Sequence, residues 1–277
     1  MMLLKLGLGA NNKVIAEGGG SGYLDDVISS VVADLDATIS ASYSGSGQTW
    51  ANLIAAPADS AAQTDYDFWL GADGTADTLD PTFTGSAGSA SAYWSFDGSD
   101  RFTHKTDTTL IDNLHKTAGD DFWLAITLNI PVSSGNRGLF ATKTTGTTTA
   151  GFYLLLGTDD DIDFRQYAGG TAILDNAGAT VTESADVIII TSFNRTTNKG
   201  RYWVSTTTAV ENNVTFDTGT TDKNGSLTIG SNPNGSQALP AGSKVYSVAI
   251  GNEFLDDTKA GDIIAHLEAR HGRDYTP

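Results

Sequence analysis

The stretch Asp121-Phe122-Trp123-Leu124-Ala125-Ile126-Thr127-Leu128-Asn129-Ile130 decides the fold. Phe122, Leu124, Ile126, Leu128 and Ile130 recur at every second position, and a two-residue period places them on one face of an extended strand. Shorter apolar segments follow the same grammar at 93–96, 151–156, 162–167, 201–205, 227–230 and 244–250. Clusters of Gly, Ser, Thr, Asn and Asp separate them, as turns separate the strands of a sandwich. Segments 151–156 and 162–167 read as a hairpin around 157–161. Residues 187–193 are apolar on both faces, which predicts a central strand covered from two sides.

Composition agrees with a β-rich chain. The 277 residues include 31 glycines and 33 acidic residues, of which only Glu17, Glu183, Glu211, Glu253 and Glu268 are glutamate. Aspartate favours turns and caps, whereas glutamate favours helix interiors. The length suits one large domain, and no linker of biased composition divides it. A net charge of −17 repels phosphate backbones and anionic membranes, so nucleic acid is not an expected partner. The absence of cysteine excludes disulfides and thiolate metal sites. No apolar run reaches the roughly 18 residues of a membrane helix, so no membrane insertion is expected. The opening residues, broken by Lys5, Gly7 and Gly9, make a poor classical signal peptide.

Three segments are expected. Residues 1–22 form an extended arm in which Leu4, Leu6 and Leu8 alternate with polar or small residues before a glycine run. An unpaired strand gains stability by joining another surface, so these leucines are expected assembly contacts with other subunits or with copies of the same chain. Residues 23–42 are a helix or connector. Leu24, Val27, Ile28, Val31, Val32 and Leu35 recur at helical spacing, and their β-branched content leaves a strand as the alternative. Residues 43–277 form the sandwich, closed by a helix near 257–270 with Ala260, Ile263, Ile264 and Leu267 on one stripe.

The order of several short motifs resembles the concanavalin A-like lectin/glucanase superfamily, of the LamG-like kind. Trp50-Ala51-Asn52-Leu53 is similar to an early W-x-D/N-L, and Tyr93-Trp94-Ser95-Phe96-Asp97-Gly98 to a Y-x-F-D/N-G strand and turn. Asp121 to Leu124 resembles D-F-T-I, and Arg201-Tyr202-Trp203-Val204 a strand ending in V-N-G, with Ser205-Thr206 in place of Asn-Gly. Leu227 to Gly230, Val245 to Ile250 and Leu255-Asp256-Asp257 resemble the last strands and the closing helix. The resemblance covers about 43–272 and implies an all-β jelly-roll sandwich with an N-terminal arm and two short helices. The abrupt opening and glycine-rich arm also resemble accessory structural proteins of tailed bacteriophages.

The superfamily's glucan-cleaving members carry E-x-D-x-E on one strand, where alternating carboxylates share a side. No glutamate here forms that motif, and Asp161-Ile162-Asp163 lacks the third carboxylate, so no catalytic residue and no enzyme is expected. His266 and His271 are five apart and do not match a zinc helix, which leaves surface or capping roles. No G-x-S-x-G elbow is present.

Two binding sites are candidates. Asp159, Asp160, Asp161 and Asp163 could hold calcium, which takes six to eight oxygens, or could form a solvated hairpin tip. No cofactor is required. Asp97 and Asp100 form a second, weaker acidic pair. For a glycan, Tyr66 and Trp69 could stack on a sugar face with Asp65, Asp67 and Asp73 as hydroxyl acceptors. The functional expectation is a virion-associated structural or decoration protein, a homo-oligomer located on an extracellular particle, with possible host-surface glycan adhesion. The alternative is a soluble glycan-binding module or a polysaccharide-degrading enzyme.

Overall fold

The structure is a computed structural model and describes residues 22–144, 150–168, 171–219 and 221–276, with side chains left undescribed at 168 and 171–177. Residues 1–21, including Leu4, Leu6 and Leu8 of the expected arm, lie outside the described residues. In chain order the first strands are β1 (Val31–Asp36), β2 (Thr49–Trp50), β3 (Phe68–Leu70), β4 (Thr82–Thr84), β5 (Tyr93–Ser95) and β6 (Phe102–His104). A short helix, α1 (Thr109–Asn113), precedes β7 (Phe122–Asn129), β8 (Arg137–Ala141), β9 (Gly151–Leu156), β10 (Asp161–Ala168) and β11 (Thr171–Thr180). Then come β12 (Asp186–Asn194), β13 (Lys199–Val204), β14 (Val210–Asn213), β15 (Thr228–Ile229), β16 (Lys244–Gly251) and the closing helix α2 (Asp257–His271).

These strands form two antiparallel sheets, a jelly-roll β-sandwich. One runs β14-β13-β12-β7-β16-β5-β4, with β1 also on β16; the other runs β11-β10-β9-β8-β15-β6-β3-β2. Phe122, Leu124, Ile126 and Leu128 of β7 enter the core between the sheets, with Val187, Ile189 and Phe193 of the neighbouring β12. The other face of these strands is apolar too. Trp123, Ala125, Ile188, Ile190 and Trp203 pack under Ala260, Ile263, Ile264 and Leu267 of α2. Strand β12 is therefore covered on both faces, as its sequence requires.

Helix α2 is delimited by its own residues. Asp256 caps its first turn by accepting from the Lys259 N–H at 2.9 Å, and Gly272 takes a left-handed φ of 60° just past its end. Gly251 of β16 lies opposite Trp123 of β7, and a Cβ there would stand 2.1 Å from the indole Nε1. Only glycine fits that approach.

The helix expected over 24–35 is corrected. A single 3₁₀ turn, Leu24–Asp26, leads into strand β1, which pairs with β16. The periodicity misled because β1 is buried throughout. Ala33 and Leu35 face the inter-sheet core, while Asp34 and Asp36 are fully buried and find partners on α2. Residues 31–36 thus belong to the sandwich rather than to a connector. The hairpin around 157–161 forms, with Ile162 paired to Leu156. The corner after β13 also forms without Asn-Gly: Ser205 takes the left-handed conformation at φ 49° and donates its N–H to the Ile188 carbonyl at 2.9 Å.

Candidate functional site

A cleft of about 520 Å³ opens where the β2–β3 connection meets the β6–β7 connection that carries α1. Asp59, Asp65, Asp107 and Asp120 border it, with Ser60, Thr108, Thr109 and Asn113 adding hydroxyl and amide groups and Leu110 an apolar surface. Among the described residues no lysine or arginine lines it. Lys223 reaches the Asp107 carboxylate from outside, at 2.6 Å.

Buried groups beneath the cleft fix its walls. Tyr66 is 0% exposed, closes the 3₁₀ turn Gln63–Tyr66, and donates its hydroxyl to Asp59 Oδ2 at 2.5 Å. Thr108, the cap of α1, donates to the Tyr66 hydroxyl at 3.2 Å. Burial, reinforced by the bond to Asp59, pushes the Tyr66 phenol far above its ordinary range. Asp65 turns back on its own loop, accepting from the Ala62 N–H at 2.9 Å.

The opposite wall, at Gly119 and Asp120, is backed by Arg195. Its Nε donates to the Asp120 carbonyl at 2.5 Å and its Nη1 to the Lys116 carbonyl. Phe122 and Phe216 flank the guanidinium at 4.9 and 5.1 Å. Burial brings its pKa down to about 10. Arg195 is 6% exposed, and its Nη2 has no protein partner. That nitrogen is buried behind Gly119, which sits at φ 146° and where an added Cβ would stand 3.0 Å from Asn113 Cβ and 3.5 Å from Nη2.

The expected sugar-stacking set is dispersed. Asp65 borders the cleft, but Tyr66 is buried beneath it and offers no face to solvent. Trp69 is half-buried, with Lys105 Nζ 4.0 Å over its ring and Gly74 pressed against its six-membered edge. Asp67 is buried, holding the Asn52 N–H at 2.9 Å and Lys105 at 3.5 Å. Asp73 closes an exposed turn by accepting from the Thr75 N–H. Asp59, Asp107 and Asp120, far apart in sequence, were not singled out because only the loops bring them together.

The acidic hairpin offered as a calcium site or a solvated tip finds protein partners. Asp160 pairs with Arg137 at 2.8 Å and Asp163 with Arg165 at 2.5 Å. Asp161 accepts from Thr180 at 2.6 Å, and Asp159 accepts from the Asp161 N–H. Among the described residues no three metal-ligating side chains converge. Asp97 and Asp100 share a turn, the Asp97 N–H donating to Asp100 at 2.7 Å. Burial, with the Asp97 and Asp80 carboxylates near, pushes Asp100 up to about 7.

His271 is not a surface residue. It is buried, with Nε2 2.9 Å from Asp36 and Nδ1 2.7 Å from the Tyr275 hydroxyl. Burial would raise the Asp36 carboxyl, but His271, Arg270 and hydrogen bonds hold it far below the carboxylate range. His104 is 2% exposed beside Tyr66 and Phe68, and neither ring nitrogen meets hydrogen-bond geometry, although the Asp65 carbonyl is near.

No family model matches the chain, and no curated protein sequence matches it. Solved structures do. A sialidase of Trypanosoma rangeli superposes on 87% of this chain with a TM-score of 0.50 and 12% identity, this chain spanning 33% of that one. The CBM40 of the Ruminococcus gnavus IT-sialidase covers 52% of this chain and 82% of its own, with a TM-score of 0.42 and 12% identity. The likeness is one of fold. It corrects the expectation that the chain is not an enzyme, because a sialidase chain shares this architecture over most of the sequence.

Proposed function

We propose that this chain is a glycan-binding module whose ligand occupies the cleft bordered by Asp59, Asp65, Asp107 and Asp120. One observation carries the reading: a concavity of about 520 Å³ lined by carboxylates, hydroxyls and one amide, with Leu110 as its apolar patch. Carboxylate oxygens accept hydrogen bonds only, and charged acceptors make the stronger ones, so several sugar hydroxyls can be held at once. The supporting phenol and guanidinium are buried, which keeps the walls rigid before a ligand arrives.

The test is a glycan array followed by calorimetry on the glycans retained. Asp65→Asn combined with Asp120→Asn is expected to weaken binding at least about tenfold, near 1.4 kcal/mol, with the fold intact. An array on which nothing is retained, or undiminished binding by the double variant, would sink the proposal. A reducing-sugar assay in the same samples reads whether the bound glycan is also cut. Host-surface adhesion by a particle-borne protein is the finer form of this reading and rests on residues 1–22.

A further inference from the structure

His104, the last residue of β6, is 2% exposed. It touches one of the two connections that border the cleft and begins the other. Tyr66, which ends the 3₁₀ turn Gln63–Tyr66, has its ring 5.6 Å from the imidazole, and Phe68, opposite His104 on β3, has its ring at 5.0 Å. Asp107 and Thr108 of the cleft follow β6 directly in the chain.

The site suits a neutral ring. An imidazolium carries two N–H donors and so needs two acceptors. Neither ring nitrogen of His104 meets hydrogen-bond geometry, and the Asp65 carbonyl is the acceptor beside them. The Asp65 carboxylate faces the ring from the turn, Asp107 from the segment after β6, and Lys223 from the segment before β15. Lys223 is itself paired with Asp107 and Asp112, and Lys105 and Asp67, the chain neighbours of His104 and Phe68, pair with each other. Phe68 and the Leu227 carbonyl, which accepts the His104 N–H at 2.8 Å, bring no charge. Burial outweighs the two carboxylates and brings the imidazole pKa down to about 4.

A cation formed there is hydrated only if the ring is uncovered. Strand β6 is fixed on both sides, by β3 and by β15. The turn over the ring is held by less: the Asp65 bond to the Ala62 N–H and the bonds of the Tyr66 hydroxyl with Asp59 and Thr108. Elements with few such contacts open first.

We propose that acid opens the turn Gln63–Tyr66: protonation of His104 displaces Tyr66 and with it the Asp59 and Asp65 border of the cleft, while both sheets stay folded. The closed form is complete above about pH 6.5 and is lost as pH falls toward 4. For a ring that titrates at about 4 when closed and 6.5 when open, the equilibrium shifts toward the open form roughly fiftyfold between pH 7 and 4.5. A glycan held in the cleft is released over the same range, a consequence that rests on the glycan-binding reading.

Hydrogen exchange on the full chain at pH 7 and 4.5, corrected for the intrinsic pH dependence of amide exchange, tests the opening without any ligand. Peptides within 59–68 should lose protection by about that factor, those from β7, β12 and β16 should keep theirs, and His104→Phe should abolish the difference. His104→Gln, uncharged at both pH values, serves in its place if the phenylalanine variant does not fold. Unchanged protection at 59–68, an equal loss in all peptides, or the same local loss in a variant without the imidazole would overturn the switch. A glycan array that retains nothing would overturn the glycan reading alone, because the exchange result is independent of it.

Discussion

Arg270, in the last turn of α2, grips Asp34 of β1 with both ends of its guanidinium, Nη1 to Oδ1 at 2.9 Å and Nη2 to Oδ2 at 2.8 Å. The same Nη1 reaches Asp36 at 2.9 Å. Both carboxylates are 0% exposed. Removing the cation leaves buried Asp34 without its guanidinium partner and buried Asp36 with His271 alone. Arg270→Met is therefore expected to cost about 3–5 kcal/mol, measured by urea unfolding. A loss below about 1 kcal/mol would show that the cluster is well solvated, contrary to its burial.

Burial brings the His104 pKa down from 6.5 to about 4. The unfolded chain binds more protons between these values, so the stability owed to the neutral ring is full above about pH 6.5 and is lost as pH falls toward 4. His104→Phe keeps the ring contacts with Tyr66 and Phe68 and removes two buried ring nitrogens. It should leave stability at pH 7 within about 1 kcal/mol and flatten the decline between pH 6.5 and 4. A melting-temperature profile as steep as that of the parent protein counts against the assignment.

Gly251→Ala tests the approach of β16 to Trp123. The added methyl would collide with the indole, which itself donates to Ser30 Oγ at 3.1 Å. Overpacking of this kind costs about 1–3 kcal/mol. Gly261 in α2 is the control, since a Cβ there meets nothing within 4 Å. Gly261→Ala should be neutral or stabilising, and equal effects at both positions would refute the steric account.

Arg137 sits among Asp160, Glu183 and the Gly157 carbonyl, the last accepting at 2.6 Å. If it, rather than a cation, neutralises the hairpin, chelator should leave the melting curve of the parent protein unchanged. Arg137→Met should lower stability by about 3 kcal/mol, because the guanidinium is 3% exposed and Glu183 11%, while Asp160, at 36%, adds little. A chelator-dependent drop in the parent protein would return the hairpin to calcium.

The strand pattern was readable where one face had a single task. In β7, Phe122 to Leu128 alternates because the inner face meets the opposite sheet. Residues 24–35 misled because both faces of β1 are buried, one by Ala33 and Leu35 and the other by Asp34 and Asp36. The partners of Asp34 and Asp36, Arg270 and His271, lie more than two hundred residues away in sequence and leave no local trace. The cleft was hidden for the same reason. Asp65 was readable as part of a Tyr-Trp-Asp cluster, but Asp59, Asp107 and Asp120 are spread over two connections between strands.

Strand β1 carries a further consequence for synthesis. Its strand partner among the described residues is β16, and the counter-ions of its buried carboxylates, Arg270 and His271, lie on α2. On a ribosome the first described strand therefore emerges early and must wait, unpaired and with two aspartates in water, until residues 244–271 appear. Such a long-range closure is slow because its loop entropy is lost before any contact forms. The same delay keeps the apolar faces of β7 and β12 uncovered until the helix arrives, and this is the interval in which the nascent chain is most exposed to aggregation.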